Sequence, residues 1–529
     1  MRRSIAAAFV AAATALSVLP AVAAEAAADG RGRATAALGN VLQVGRSTPR
    51  ARAALQRAQQ IVSGAASSAG TQDSGRRVEA TLAMRDLFSA LPDLSGADQQ
   101  RARAVLARPT VGSKDQYGDG YRTKAKRRCE GHFCLHWVTS TSDRASARWV
   151  TRTLNTMNAV WRLEVDKLGY RRPVRDGHHG GNSLFDVYLK DVGADYLYGY
   201  CAPEYLKPGH KREASGYCVL DNDFSRDQFR ARPVDSLRVT AAHEFFHAVQ
   251  FGYDFKEDPW LMEATSTWME ERFADGVNDN RQYLPYGQVA RPASPLDYFD
   301  PQGFNQYGNW PFFEFLSSRF GNDTVRQIWR NAAEAADGSG GQYSTQAVSS
   351  VLAGHGGFPS VFTRYAAGNL TPGRTYAEGD QWPGAARAAV ENQWTLHADG
   401  AHRTTTLAVR HMASKNVVVR PGSELTGAGW LARVTVDGPP AVKQPEAYVV
   451  EWMRDGTVKR IAVPLDPTTG AGELTFDFSR DDVDHYSVTF ANASTRFACR
   501  QGTNYSCRGD ALDDHEVFDV RVSAEHTAP

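Results

Sequence analysis

The run Thr240-Ala-Ala-His-Glu-Phe-Phe-His-Ala-Val249 constrains this chain more than any other stretch. Its residues are helix formers or apolar, and between Val239 and Gln250 the one charged residue is Glu244. The segment reads as a buried helix with Asp235 as its N-cap. In a helix, His243 and His247 share one face, about 6 Å apart along the axis. Imidazoles at that spacing can bind one ion through ring nitrogens at about 2 Å. Glu244 lies about 100° round the helix from His243, which sets its carboxylate beside the ion and not on it. The competing reading is a buried helix whose histidines are satisfied by hydrogen bonds alone. Two histidines and a carboxylate are costly to bury together without a cation. The pattern therefore predicts one zinc per chain, with Glu244 as the base that takes a proton from a water of pKa near 7.

Tetrahedral catalytic zinc takes three protein ligands and keeps one open position. Tyr253 stands six residues after His247, so a third histidine does not come from there. Asp258 and Pro259 form a good N-cap and first helical residue. The helix they open carries Glu263 one turn in, and a connection of about ten residues lets it fold back against the first. Glu263 then faces the two histidines. Glu270 competes for the same role, because Glu263, Thr267 and Glu270 share a helical face and periodicity does not separate the carboxylates.

The start of the chain reads as a signal peptide over residues 1–24. Arg2 and Arg3 precede an Ala-rich apolar stretch, Pro20 breaks it, and a small-residue cleavage site follows. This predicts a secreted, extracellular protein with no membrane attachment after cleavage. Six cysteines fit an oxidising compartment. Their 15 possible connectivities stay open, with Cys129/Cys134, Cys201/Cys218 and Cys499/Cys507 the simplest pairing. Metal binding with His132 between Cys129 and Cys134 is the rival. A formal net charge of +1 gives no field to draw nucleic acid.

Residues 25–110 are rich in Ala, Arg and Gln, with helical spacing in Ala53–Val62 and Val78–Leu91. They read as a helical leader or pro-segment, and a plain cap and an inhibitory propeptide are equally open. The basic run Lys124–Arg128 is a solvated loop or a processing site. Residues 111–395 mix helix and strand. Val150, Leu154, Met157, Trp161 and Val165 mark one helix face ended by Gly169, Ser183–Lys190 alternates as a strand, and Tyr217–Leu220 is a second. From 396 to 529 the pattern is β. Seven short strands are expected at Val417–Arg420, Leu431–Val436, Ala447–Met453, Val458–Val463, Leu474–Phe478, Tyr486–Phe490 and Val517–Val522, with Asp455-Gly456 as a hairpin turn. They suggest an accessory sandwich.

His-Glu-Phe-Phe-His followed by Trp260-Leu-Met-Glu263-Ala resembles the gluzincin metallopeptidases. A longer stretch, from Gly169-Tyr-Arg-Arg-Pro to Gln306-Tyr-Gly308, is similar to a family of secreted bacterial proteins regarded as metalloproteases. The resemblance implies an α+β zincin-like catalytic domain with an N-terminal helical segment and a C-terminal β-sandwich. It implies His243, His247 and Glu263 as zinc ligands and Glu244 as general base. It also implies an edge strand that pairs with extended substrate, for which Tyr217–Leu220 is the candidate. Such enzymes use a downstream Tyr or His for the oxyanion, here Tyr307 or Tyr283, with His178 and His179 read as exposed loop residues. Thr267 stands where an acidic residue often supports a ligand histidine. Asp221, Asp223 and Asp227 have the look of a calcium loop, without the Gly and distal Glu of an EF-hand. The expected function is a monomeric extracellular endopeptidase acting on peptides or proteins. The alternatives are a binding protein on the same scaffold and a zinc hydrolase of a non-peptide amide such as a cell-wall crosslink.

Overall fold

Three adjacent strands are buried on both sides, and a sheet of that kind has to be covered twice. They are Phe185–Lys190 (β3), Gly199–Leu206 (β4) and Ala214–Asp221 (β5). With Lys126–Glu130 (β1) and Phe133–Trp137 (β2) they form one sheet in the order β1-β2-β3-β5-β4. β2, β3 and β5 run parallel, while β1 and β4 are antiparallel to their neighbours. The computed structural model describes residues 46–62, 80–110, 120–333, 340–382 and 390–527. The signal-peptide reading falls outside the described residues.

Side chains alternate between the two faces, as the period of a strand requires. Phe185, Val187, Leu189, Cys218 and Leu220 pack with Val150, Leu154, Phe245 and Phe246. Those belong to Ala147–Trp161 (α4) and Pro233–Asp254 (α5), numbered after the three leader helices Pro49–Val62 (α1), Ala80–Ala90 (α2) and Gly96–Val105 (α3). Tyr188, Tyr200, Ala202, Tyr217 and Val219 point the other way, into a cluster with Leu55, Met84, Leu87 and Val105 of the leader. The leader is thus a structural layer. Arg108 anchors its end: the buried guanidinium lies 2.5 Å from Asp176, 2.5 Å from Asp186 and 2.7 Å from Glu204.

α4 starts at Ser146, whose side chain accepts from the Trp149 N–H at 3.1 Å. It buries Val150, Leu154 and Met157 as its spacing predicts, and a π turn over Arg162–Lys167 leads to Gly169 at φ +73°. α5 begins three residues earlier than expected. Arg232 is its N-cap and Pro233 its first residue, leaving Asp235 inside the first turn. The basic run is exposed, and most of it belongs to β1. Pro259–Ala274 (α6) follows α5, with Asp258 as N-cap as predicted. Trp310–Phe320 (α7), Asp323–Ala332 (α8), Ser344–Leu352 (α9) and Phe358–Gly368 (α10) are the longer helices that follow.

The C-terminal part is sheet-rich. One sheet has the order β11-β10-β13-β8-β6 and the other β12-β9-β16-β7. The first holds Asn392–Leu396 (β6), Ala413–Pro421 (β8), Pro445–Met453 (β10), Val458–Ala462 (β11) and Val483–Asn492 (β13). The second holds His402–Val409 (β7), Trp430–Asp437 (β9), Ala471–Asp477 (β12) and Glu516–His526 (β16), and a two-residue ladder joins Phe497–Ala498 (β14) to Asp510–Ala511 (β15). Val417, Val434, Val449, Val488, Phe490, Phe518 and Val520 from both sheets share one core. All seven expected strands are present, and Gly456 turns the β10–β11 hairpin at φ +87°. The cysteines pair as Cys129–Cys134, Cys201–Cys218 and Cys499–Cys507, and His132 stacks on Trp161. No helix among the described residues is long and apolar enough to cross a membrane.

His411 ties the two parts together. Its ring nitrogens lie 3.1 Å from Asp297 and 3.2 Å from Asp514, and the residue is buried. Burial alone would lower its pKa, but the two carboxylates override this and push it up to about 9. A raised folded-state pKa gives stability that is complete below the unfolded value near 6.5 and is lost as pH rises through 9. The unfolding midpoint in urea should therefore fall between pH 6.5 and 9, with about 3 kcal/mol at stake. His411→Gln should flatten that slope; an unchanged slope in the variant would assign it elsewhere.

Candidate metal centre

α5 and α6 pack side by side, and their facing surfaces carry a cluster of buried polar residues. His243, His247 and Glu263 are all buried. Glu263 Oε2 lies 3.2 Å from His243 Nε2 and 3.5 Å from His247 Nε2. Ligand atoms about 2.0–2.1 Å from a tetrahedral zinc sit about 3.4 Å from each other. The spacing is that of ligands around one ion, and these three residues form a group able to hold a metal.

Hydrogen bonds behind the histidines decide which nitrogen faces inward. Gln250 Oε1 lies 2.8 Å from His247 Nδ1, while its Nε2 donates to the Met262 carbonyl, Thr265 and Ser266. Those acceptors fix the amide's orientation, so His247 must carry its proton on Nδ1. Glu270 Oε1 lies 2.8 Å from His243 Nδ1 and fixes that ring in the same way. Both Nε2 lone pairs then point at the Glu263 carboxylate, and three acceptors around one point call for a cation. Without an ion a proton can take that place on His243: burial works against its charge, yet its bonds to Glu263 and Glu270 hold its pKa well above normal. Burial likewise opposes charge on Glu263, and His247 and His243 hold that carboxyl well below its usual range.

The competition between Glu263 and Glu270 resolves by position. Two turns separate them on one face of α6, so Glu263 meets the inner edge of the rings and Glu270 the outer edge. Thr267 does not support a histidine; its hydroxyl donates to the Glu263 carbonyl at 2.9 Å. Glu270 fills the supporting role expected at position 267.

Glu244 opens on a cleft lined by His243, Glu270, Tyr307, Tyr198 and Gly199, with a volume of about 50 Å³. That space holds a few waters. Tyr307 stacks on His243 with ring centroids 5.9 Å apart. Tyr283 stacks in turn on Tyr307 at 5.0 Å. His178 is exposed, and His179, also exposed, stacks on Tyr205 at 4.2 Å.

One expectation needs correction. The edge strand beside the cleft is β4, not Tyr217–Leu220, which lies inside the sheet between β3 and β4. Pro203 hid it, since proline argues against a strand; an edge with a register shift at Pro203/Tyr205 tolerates it. Gly199 is needed there because a Cβ would sit 2.8 Å from the Val219 carbonyl and 3.3 Å from Glu244 Cγ. The Asp221 loop, which has the look of a calcium loop without the Gly and distal Glu, is not among the described groups that could hold a metal, and Asp221 serves as a backbone staple. Asp221 accepts N–H groups from Gly193 at 2.8 Å, Asp223 at 3.1 Å and Phe224 at 2.6 Å. Burial pushes its carboxyl up to about 7 against those bonds. Thr81 and Gln250 are site residues that the sequence did not flag. Thr81 donates to Glu244 Oε2 at 2.9 Å.

No family model matches the chain, and no curated protein matches it. Among solved structures, a family GH115 4-O-methyl-alpha-glucuronidase with specificity for decorated arabinogalactans aligns over 69% of this chain and 54% of its own, at 8% identity and a TM-score of 0.14. The chain spans about half the length of that enzyme.

Glu270→Ala should weaken zinc binding about 10–100-fold in a competitive chelator titration while leaving one zinc per chain at saturation. Glu263→Ala should lose the ion outright. The reverse ranking would make Glu270 the ligand.

Proposed function

We propose that this chain is a secreted zinc-dependent endopeptidase with a zincin-like catalytic part. The carrying observation is the meeting of His243 Nε2, His247 Nε2 and a Glu263 oxygen at ligand spacing, with each Nδ1 proton committed elsewhere. Zinc held there supplies a Lewis acid that polarises a carbonyl and brings a water's pKa to about 7. Glu244 is one residue from the first ligand and outside the ligand set, where its carboxylate would take a proton from the attacking water and hand it to the leaving amine. Glu270 and Gln250 keep both imidazoles in one tautomer through the cycle. Tyr307, stacked on His243 in the cleft, is the candidate donor to the tetrahedral oxyanion. The β4 edge beside Glu244 suits an extended peptide, which pairs through its backbone and leaves side chains to set preference.

A pure binding scaffold has no use for a carboxylate beside the ion. Metal analysis combined with a peptide-library digest separates the two. Both wild type and Glu244→Gln should hold one zinc, and cleavage should fall by about 10²–10⁴-fold in the variant. Tyr307→Phe should lower kcat about 10²–10³-fold with KM little changed. One zinc with no cleavage of peptides or of non-peptide amides, also after removal of the N-terminal segment, would leave the binding scaffold.

A further inference from the structure

The Thr81 hydroxyl lies between two groups that an extended substrate would need. Its Oγ1 accepts the Cys201 N–H at 2.9 Å and donates to Glu244 Oε2 at 2.9 Å. Cys201 faces Cys218 across the β4–β5 ladder with Cα atoms 4.1 Å apart. That is the close, non-hydrogen-bonded type of pair, whose N–H and C=O turn away from the neighbouring strand. The Cys201 N–H is therefore an outward donor of an edge strand, the kind of group an incoming strand captures. One hydroxyl takes this donor and the proposed general base together.

The rest of α2 secures the position. Arg85 is buried and donates to the Glu257 carbonyl at 2.8 Å, just before the N-cap of α6, and lies 3.1 Å from Met262 Sδ. Phe88 packs edge-on against Phe255 with centroids 5.3 Å apart. Leu82 joins the cluster that contains α5 and α6, while Met84 and Leu87 join the leader's own. α2 is thus clamped to the helix pair of the metal centre and to β4 at once. Arg108, held by three carboxylates, keeps the end of the leader attached independently of α2.

We infer that α2 is an autoinhibitory segment and that Thr81 locks the described form, by filling the β4 edge and capping Glu244. This rests on the zinc peptidase reading and adds its regulation: α2 has to leave the β4 edge before a peptide backbone can pair there. Ligands that reach only the ion do not require that movement. A ligand that also needs the edge binds in proportion to the open fraction. Replacing Thr81 by valine keeps the shape, removes a hydrogen bond to a carboxylate and leaves the Cys201 N–H unpaired, so the open fraction rises by about ten-fold or more.

The test uses the full-length chain loaded with cobalt(II), with binding read from the visible absorption bands. Acetohydroxamate probes the ion alone, and a tripeptidyl hydroxamate probes the ion and the edge. Acetohydroxamate should bind wild type, Thr81→Ser, Thr81→Val and Arg85→Ala within about two-fold. The tripeptidyl compound should bind Thr81→Val and Arg85→Ala at least about ten-fold more tightly than wild type, with Thr81→Ser behaving as wild type. If Arg85→Ala does not fold, the isosteric Thr81→Val decides alone. Equal tripeptidyl affinity in all folded forms overturns the lock, and so does weaker binding to Thr81→Val, which would make Thr81 part of the substrate site. Wild type without cobalt bands overturns the metal centre itself, and the lock with it.

Discussion

Two imidazole lone pairs brought 3.2 and 3.5 Å from one carboxylate oxygen repel it unless something positive sits among them. The fold accepts that repulsion in its interior and organises much of its buried polar chemistry around it. α5 is buried along nearly its whole length from Ser236 to Asp254, so no solvent face relieves the charge. The sheet closes one side and α6 another. Nothing in apolar packing asks for this arrangement, since a well-packed hydrophobic contact between two helices would be at least as stable. The arrangement makes sense as a device for holding a cation.

Support for the device extends outward in layers. Gln250 orients His247 and is itself fixed by the Met262 carbonyl, Thr265 and Ser266 of α6. Thr265 also accepts from Trp329 of α8 at 3.2 Å, and Trp260 donates to Ser344 of α9 at 3.0 Å. Ser344 donates to Asp258, which also takes the Cys507 N–H from the C-terminal part at 2.7 Å. The N-terminus of α6 is therefore pinned by α9 and by the Cys499–Cys507 loop. A shift at that end would move Glu263, one turn further on. The sheet-rich part thus contributes to the angle at which the third ligand meets the histidines.

How much of this was legible depended on sequence distance. The helix pair was, because Asp258-Pro259 marks the start of α6 and the four-residue spacing of the histidines sets a face. Glu263 and Glu270 were not separable, because both lie on the right face and both do reach His243; the crossing of two helices decides which edge of the ring each meets. Val150, Leu154 and Met157 declared their helix by period, and seven β strands by alternation. β4 escaped because Pro203 breaks the rule for strands everywhere except at an edge. The role of Asp221 was not legible, because three backbone donors converging on a carboxylate leave no trace in the sequence. Thr81 is an ordinary residue of an Ala-rich helix until the fold sets it against Glu244.

That division has a physical consequence. The ligands and their supports lie within about thirty residues, on two helices joined by a short loop, and closing so short a loop costs little chain entropy. Thr81 and Glu244 are 163 residues apart, and Asp258 and Cys507 are 249 apart. Contacts of that range depend on the finished tertiary fold. Loss of a single hydroxyl contact at Thr81 leaves the crossing of α5 and α6, and hence the ligand geometry, intact. A site assembled from local contacts and covered by a distant one can be altered at the cover without being dismantled at the centre. The candidate ligand set is therefore written into α5 and α6, while the contact that covers Glu244 comes from the distant α2.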